Sequence, residues 1–183
     1  MQRQIVWRRA PLALSLFVSG LFLVSCTDNA TPIQSTAAER LKPAVSVPGE
    51  PATGGTIYVP VYSSLFLGVV KQAQTVELAA TLSVRNVSAL HAITLDQVRY
   101  FDSNGKQVRD YIEKASTLPP MGSVEFVIQR SDNTGGPGAN FLIHWHADLA
   151  VDAPLAEAVM VGQSGEAGIS FISRGRALTS PER

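Results

Sequence analysis

The sequence predicts an all-β protein: an antiparallel, immunoglobulin-like sandwich of about seven to eight strands. Three observations carry that expectation. Beyond Gly55 the apolar residues alternate instead of recurring every three or four positions. Turn-forming Gly, Asn and Pro residues break the chain at intervals of roughly 8 to 12 residues. No segment in that region has a helical apolar period long enough for the crossover a parallel sheet requires. A small closed β-barrel is the alternative architecture.

The clearest element is Val76 to Arg85. Val76, Leu78, Ala80, Leu82 and Val84 share one face, and Glu77, Thr81, Ser83 and Arg85 share the other. That is a strand with one side on a core and one in water. Comparable segments are Thr56 to Tyr62, Ile93 to Phe101, Val108 to Ile112, Val124 to Gln129, Phe141 to Leu149 and Ile169 to Ser173. Leu155 to Val161 fits helical and strand spacing about equally and is assigned to a strand following a short turn. Ser103-Asn104-Gly105 marks a hairpin, since Asn-Gly readily adopts the positive φ values of a tight reversal. Residues 131–138 and 163–168 are longer loops. The cysteine bridge of antibody domains is missing, and Trp145 lies on a late strand.

Ahead of the strands lies an address. Arg3, Arg8 and Arg9 precede an apolar stretch from Ala10 to Val24, which is followed by Ser25 and Cys26. That is the layout of an export signal. The stretch spans 15 residues, short of the roughly 20 needed to cross a bilayer as a helix. Leu23-Val24-Ser25-Cys26 resembles the bacterial lipobox, which implies cleavage between Ser25 and Cys26 and lipidation of Cys26. Cys26 is the single cysteine of the chain, and an unpaired thiol would sit awkwardly in an oxidising compartment. Residues 1–25 are thus expected to be a lipoprotein signal peptide. Residues 26–55 are a lipid-anchored tether rich in Thr, Ala, Ser and Pro, residues 56–176 the folded domain and residues 177–183 a tail. As a flexible coil the tether would reach on the order of 30 Å. If part of it packs on the domain, Ile33, Leu41 and Val45 are the residues suited to it.

Removing the signal takes three arginines from 15 basic residues and leaves all 15 acidic ones. The mild acidic balance lacks the clustered Lys and Arg that nucleic-acid binding requires. The mature domain has no cysteine, so it relies on its apolar core.

Several short motifs follow one another in order: Tyr58-Val59-Pro60-Val61-Tyr62-Ser63-Ser64, Thr81 to Asn86, Gly138-Ala139-Asn140-Phe141 and Glu157 to Gly162. Gly168-Ile169-Ser170-Phe171 and Ser173-Arg174-Gly175-Arg176 complete the series. With these the chain resembles the bacterial family catalogued as domain of unknown function 3124, over residues 56–176. The resemblance implies a domain often attached to lipoprotein signals. It implies no catalytic residue.

Four features are candidates for chemistry. His144, His146 and Asp148 fall on one face of an alternating strand, and Cα atoms two apart lie about 6.5 to 7 Å from each other. Both imidazoles would then be in reach of one zinc or copper ion. Phe141, Ile143 and Trp145 mark the opposite face as buried, so the row equally suits an ordinary solvent-facing surface. Gly135-Gly136-Pro137-Gly138 could cradle a phosphate, although phosphate loops precede a helix and here a strand follows. Arg174 and Arg176 are candidates for anion contact, or charges that protect an edge strand. Leu65, Phe66 and Leu67, within an apolar run to Val70, are either an interaction patch or a short edge strand.

No nucleophile elbow, phosphate-binding loop of the nucleotide-hydrolysing type or recognisable carboxylate pair occurs. The sequence therefore points to a non-enzymatic binding or assembly module that needs no cofactor. It is expected to be lipid-anchored in the cell envelope, on the outer face of the inner membrane or on the outer membrane, with the domain in the periplasm. Its expected partners are the membrane, through the anchor, and an envelope protein. The alternative is a metal-binding protein or metal-dependent enzyme built on His144 and His146.

Overall fold

A computed structural model describes residues 41–43, 53–68 and 74–179. Among them twelve strands form and no helix. They are β1 (Lys42–Pro43), β2 (Thr53–Pro60), β3 (Ser64–Leu67), β4 (Gln74–Arg85), β5 (Ile93–Phe101) and β6 (Gln107–Asp110). The series continues with β7 (Ser116–Leu118), β8 (Ser123–Ile128), β9 (Asn140–Ala147), β10 (Leu155–Ser164), β11 (Ala167–Arg174) and β12 (Arg176–Leu178). Sheet I has seven strands in the order β1-β7-β5-β9-β2-β12, with β6 also on β5. Sheet II has five, in the order β11-β10-β4-β3, with β8 also on β4. All pairings are antiparallel. The fold is an antiparallel β-sandwich, not a closed barrel.

The inner faces meet as the alternation predicts. Leu78, Ala80, Leu82 and Val84 of β4 are buried, and so are Ile57 and Val59 of β2, and Phe141, Ile143 and Trp145 of β9. Tyr100 and Phe141 stack at 5.2 Å between ring centres, and Tyr111 meets Phe126 edge-on at 5.6 Å. Aromatic pairs of this kind stabilise a core beyond the area they bury.

The strand count exceeds the expected seven to eight because short segments add to the edges. β4 pairs with β8, and β5 with β9, as in immunoglobulin domains. The place beside β9 belongs to the early strand β2, however, and β10 takes the place beside β4. Leu155 to Val161 is strand, as assigned. The Asn104-Gly105 hairpin forms, but only Gly105 has positive φ. Asp102 accepts from Gly105 N at 3.0 Å, and its carboxylate from Asn104 N and Lys106 N at 2.8 Å, so the reversal is longer than a two-residue turn.

Three boundaries differ from expectation. The domain begins at Thr53 and extends to Leu178. Lys42–Pro43 also pairs with Ser116 and Thr117 of β7, and Leu41 packs against the core. A free tether over 26–55 therefore fails at these three residues, because β7 leaves an open edge that backbone hydrogen bonds can satisfy. The expected signal and Cys26 lie outside the described residues, as do Ile33, Val45 and the segment after Leu178 beyond residue 179.

The registers give the sandwich two ends. Arg85, Ser123 and Leu155 align in sheet II, and Ile93, Leu118, Ala147 and Thr53 lie at the matching limits of sheet I. Loops 86–92, 119–122 and 148–154 bridge the sheets there. We call this end proximal, since Leu41 and Thr53 bring the chain in at it. Loops 61–63, 102–106, 129–139 and 165–166 lie at the distal end.

Candidate functional site

The histidine row stands on the outer face of sheet I. His144 Nδ1 is 2.9 Å from Thr56 Oγ1, and His144 Nε2 is 2.6 Å from an Arg99 guanidinium nitrogen. A guanidinium has no acceptor, so Nε2 must accept from Arg99, and Nδ1 then donates to Thr56. The lone pair a metal would need is thereby engaged, with a fixed positive charge beside it. His146 Nδ1 instead meets Asp96 Oδ2 at 2.9 Å.

Asp96 reaches His146 because β5 carries a bulge between Leu95 and Gln97, which turns Asp96 and Gln97 outward together. The sequence holds the sign of this: apolar residues at 93, 95, 98 and 100 skip one beat. Asp148 lies beyond the end of β9 at Ala147. Among the described residues no three His, Cys, Asp or Glu side chains are placed to hold a metal. The two histidines belong to separate hydrogen-bonded groups, His144 with Thr56 and Arg99, and His146 with Asp96.

At the distal end two serines pin the glycine loop. Ser63 Oγ accepts from Gly136 N at 2.7 Å and donates to Gly136 O at 3.3 Å. Ser103 Oγ accepts from Gly138 N at 2.9 Å and donates to Gly135 O at 2.9 Å. The N–H groups of Gly136 and Gly138, which would cradle a phosphate, are thus already used. Arg109 closes the same loop through Asp132 at 2.9 Å and reaches the Tyr111 hydroxyl at 3.1 Å. Burial works to raise the Asp132 carboxyl, yet the Thr134 and Arg109 hydrogen bonds hold it below the usual carboxylate range.

Leu65, Phe66 and Leu67 form edge strand β3, which among the described residues pairs with β4 alone. Leu65 packs toward the core. Phe66 is 63% exposed, so an apolar side chain stands beside an open strand edge at the distal end.

Arg174 and Arg176 are exposed and stand on different sheets. Arg174 ends β11 of sheet II, opposite Glu157, and Arg176 opens β12 of sheet I, opposite Tyr58. Between them Gly175 is where the chain changes sheets, donating to Ala156 O at 2.8 Å.

Sequence reasoning missed the proximal loops. Leu90 is 79%, Met121 70%, Leu149 53% and Val87 43% exposed, and they come from three different loops. Buried Asn86 braces the assembly, donating to the carbonyls of His91, Leu118 and Pro119 at 2.8 to 3.2 Å and accepting from Ser88 N at 2.9 Å. Met121 N donates to Ser88 O at 3.0 Å, joining two of the loops. A cleft of about 530 Å³ runs between Val87, Leu90, His91, Val151 and Asp152. The available signal was Leu90 and Met121, large apolar residues in segments whose turn chemistry assigns them to loops.

These features define an antiparallel sandwich whose polar clusters brace the scaffold, with exposed apolar groups at its two ends and, as Val159, Val161 and Ile172, on the outer face of sheet II. The family described as "Protein of unknown function (DUF3124)" matches residues 54–178, and the chain belongs to that family. The match coincides with the span from β2 to β12. No curated protein matches the chain. A solved structure described as "Crystal Structure of Thermotoga maritima 1070" aligns at 9% identity with a TM-score of 0.38. It covers 67% of this chain and 94% of that one, a likeness too distant to bear on fold or function.

Proposed function

We propose that this protein is a lipid-anchored, non-enzymatic module of the bacterial cell envelope, tethered through Cys26 and cleaved after Ser25. Its distal end presents the β3 edge, with Phe66 and Leu67, to an envelope protein. The observation that carries this is the polarity of the fold. The chain enters at the proximal end through Leu41 and Thr53, whereas Phe66 stands exposed toward the other end. A short open edge with an exposed aromatic side chain suits strand addition by a partner, in which backbone hydrogen bonds give affinity and side-chain contacts give specificity. The domain would stand in the periplasm, on either membrane; Thr27 after the cysteine, where some bacteria read an aspartate as a retention signal, favours the outer one.

Two experiments test this reading. Cys26→Ser should move the protein from the membrane to the soluble fraction with its melting temperature unchanged; continued membrane association to the same extent refutes the anchor. A photoreactive residue at Phe66 should capture an envelope protein in cells, and a Phe66→Ser/Leu67→Ser variant should lose that partner without losing stability. A collapsed fold in the double variant would instead assign the patch to the core.

A further inference from the structure

We infer that the proximal loop end, with Leu90, Met121 and Leu149 at its tips, rests in the interfacial layer of the bilayer that holds the acylated Cys26. This rests on the anchor reading given above and adds a second, independent contact. The loops come from both sheets, yet their apolar side chains share one end and are exposed together. The hydrogen bonds around Asn86 and Ser88 brace the two loops that carry Leu90 and Met121, so that part of the surface is preformed.

Met121 supplies a separate argument. Its φ is 56°, in the left-handed region where a Cβ is disfavoured and glycine is at ease. The chain nevertheless carries a long apolar residue there and leaves it 70% exposed. Strained positions that the scaffold over-determines are a mark of function, and here the side chain makes sense through what it touches outside the molecule.

The path of the chain names the partner. Leu41 precedes Lys42, which pairs with Thr117 beside Leu118 and the 119–122 loop, so the segment from the anchor arrives at this end. From Cys26 to Leu41 is 15 residues. Covalent geometry lets that length span at most about 50 Å. The anchor therefore keeps the apolar tips within reach of the lipid surface at high effective concentration. Exposed Asp148 and Asp152 flank the tips, so anionic headgroups are not the attraction. Shallow insertion of Leu and Met side chains among headgroups and upper acyl chains is. The contact orients the domain and turns the Phe66 edge toward the periplasm.

The test uses full-length protein expressed with its signal, purified in acylated form and reconstituted into phosphatidylcholine vesicles with brominated acyl chains. Trp7 departs with the signal and Trp145 is buried, so the parent protein gives the Trp145 baseline against which an added tryptophan reports its depth. Leu90→Trp should shift its emission to shorter wavelength and lose intensity to the bromines, whereas Glu166→Trp on the distal hairpin should do neither. Met121→Gly, which relaxes its backbone, should preserve melting and weaken the quenching of Leu90→Trp. Unquenched Leu90→Trp in protein that still sediments with vesicles overturns the docking and leaves the anchor standing. Protein without acyl mass that fails to sediment overturns both. A photoreactive residue at Leu90 should yield lipid adducts in native membranes, and a protein adduct in their place would assign this end to a protein partner and overturn the inference.

Discussion

The side-chain amide of Asn86 donates to the carbonyl oxygen of His91 at 2.8 Å and, through the same nitrogen, to the carbonyls of Leu118 and Pro119. One buried side chain thus satisfies backbone groups in the connection out of β4 and in the end of β7, which belong to different sheets. Asn86→Ala should leave those carbonyls wanting a donor in a largely dry setting. The expected cost is about 2 to 4 kcal/mol. Thermal unfolding should register it as a fall of roughly 5 to 12 °C. Asn86→Asp should be no better, since a carboxylate would face three carbonyl oxygens. An unchanged melting temperature in both variants would show that water can replace the amide.

Tyr100 and Gly135 make a second tight relationship. The Tyr100 ring is fully buried, and its hydroxyl has no hydrogen-bond partner among the described residues. Ser63 acts to lower the pKa of the phenol, but the two hydroxyls do not meet in hydrogen-bond geometry, so Tyr100 has no directed bond to lose. A Cβ on Gly135 would overlap that hydroxyl and lie 2.6 Å from the ring carbon bearing it and 2.7 Å from Ala139 Cβ. Gly135→Ala should destabilise by about 1 to 3 kcal/mol. Adding Tyr100→Phe should recover only part of the loss, because the ring carbon and Ala139 remain in the way.

Tyr100→Phe alone should change stability by less than about 1 kcal/mol, since no bond is lost. Its signature is pH dependence. Burial pushes the phenol up from 10.0 to about 12. The folded state thus holds a proton that the unfolded chain releases near 10.0. The resulting stabilisation is complete below pH 10 and is lost as pH rises toward about 12. Denaturant titrations across that range should show a shallower decline for Tyr100→Phe than for the parent protein. Parallel curves would mean that the phenol ionises alike in both states.

Much of the fold was legible because burial enforces a period of two. Ile93 to Phe101 matches β5 at both limits, and Leu155 to Val161 resolves into strand once β4 and β11 flank it. What the period cannot show is pairing. Ser116–Leu118 and Arg176–Leu178 are three residues each, too short to reveal alternation, and they become strands because β5 and β2 offer open ladders. His144 and His146 share the outer face of β9, whereas Asp148 falls past the end of the strand. The chemistry of His144 was not legible, since Arg99 lies 45 residues away in the chain and reaches His144 only through strand pairing.

The arrangement around His144 predicts indifference to metal. Adding zinc, or a chelator, should leave the melting temperature and the metal content of purified protein unchanged, because coordination at Nε2 must displace a guanidinium and bring two like charges together. Arg99→Ala removes that obstacle and exposes Nε2. If zinc stabilised the parent protein as much as Arg99→Ala, the guanidinium would not be guarding the nitrogen.

Gly175 carries the last prediction. Its N–H donates to Ala156 O at 2.8 Å. A Cβ there would lie 2.7 Å from that same oxygen and 2.9 and 3.0 Å from methyl groups of Ile57 and Val59. Neither side can yield cheaply: the carbonyl is fixed by the bond it accepts, and both side chains belong to the core. The glycine is thus the point at which the chain can cross from β11 to β12 between two packed sheets. Gly175→Ala should cost about 1 to 3 kcal/mol and reduce hydrogen-exchange protection in β12. Gly168→Ala, where a Cβ would meet nothing within 4 Å, provides the matched control and should be neutral or slightly stabilising. Equal melting temperatures for the two variants would mean that the crossing has more room than these distances allow.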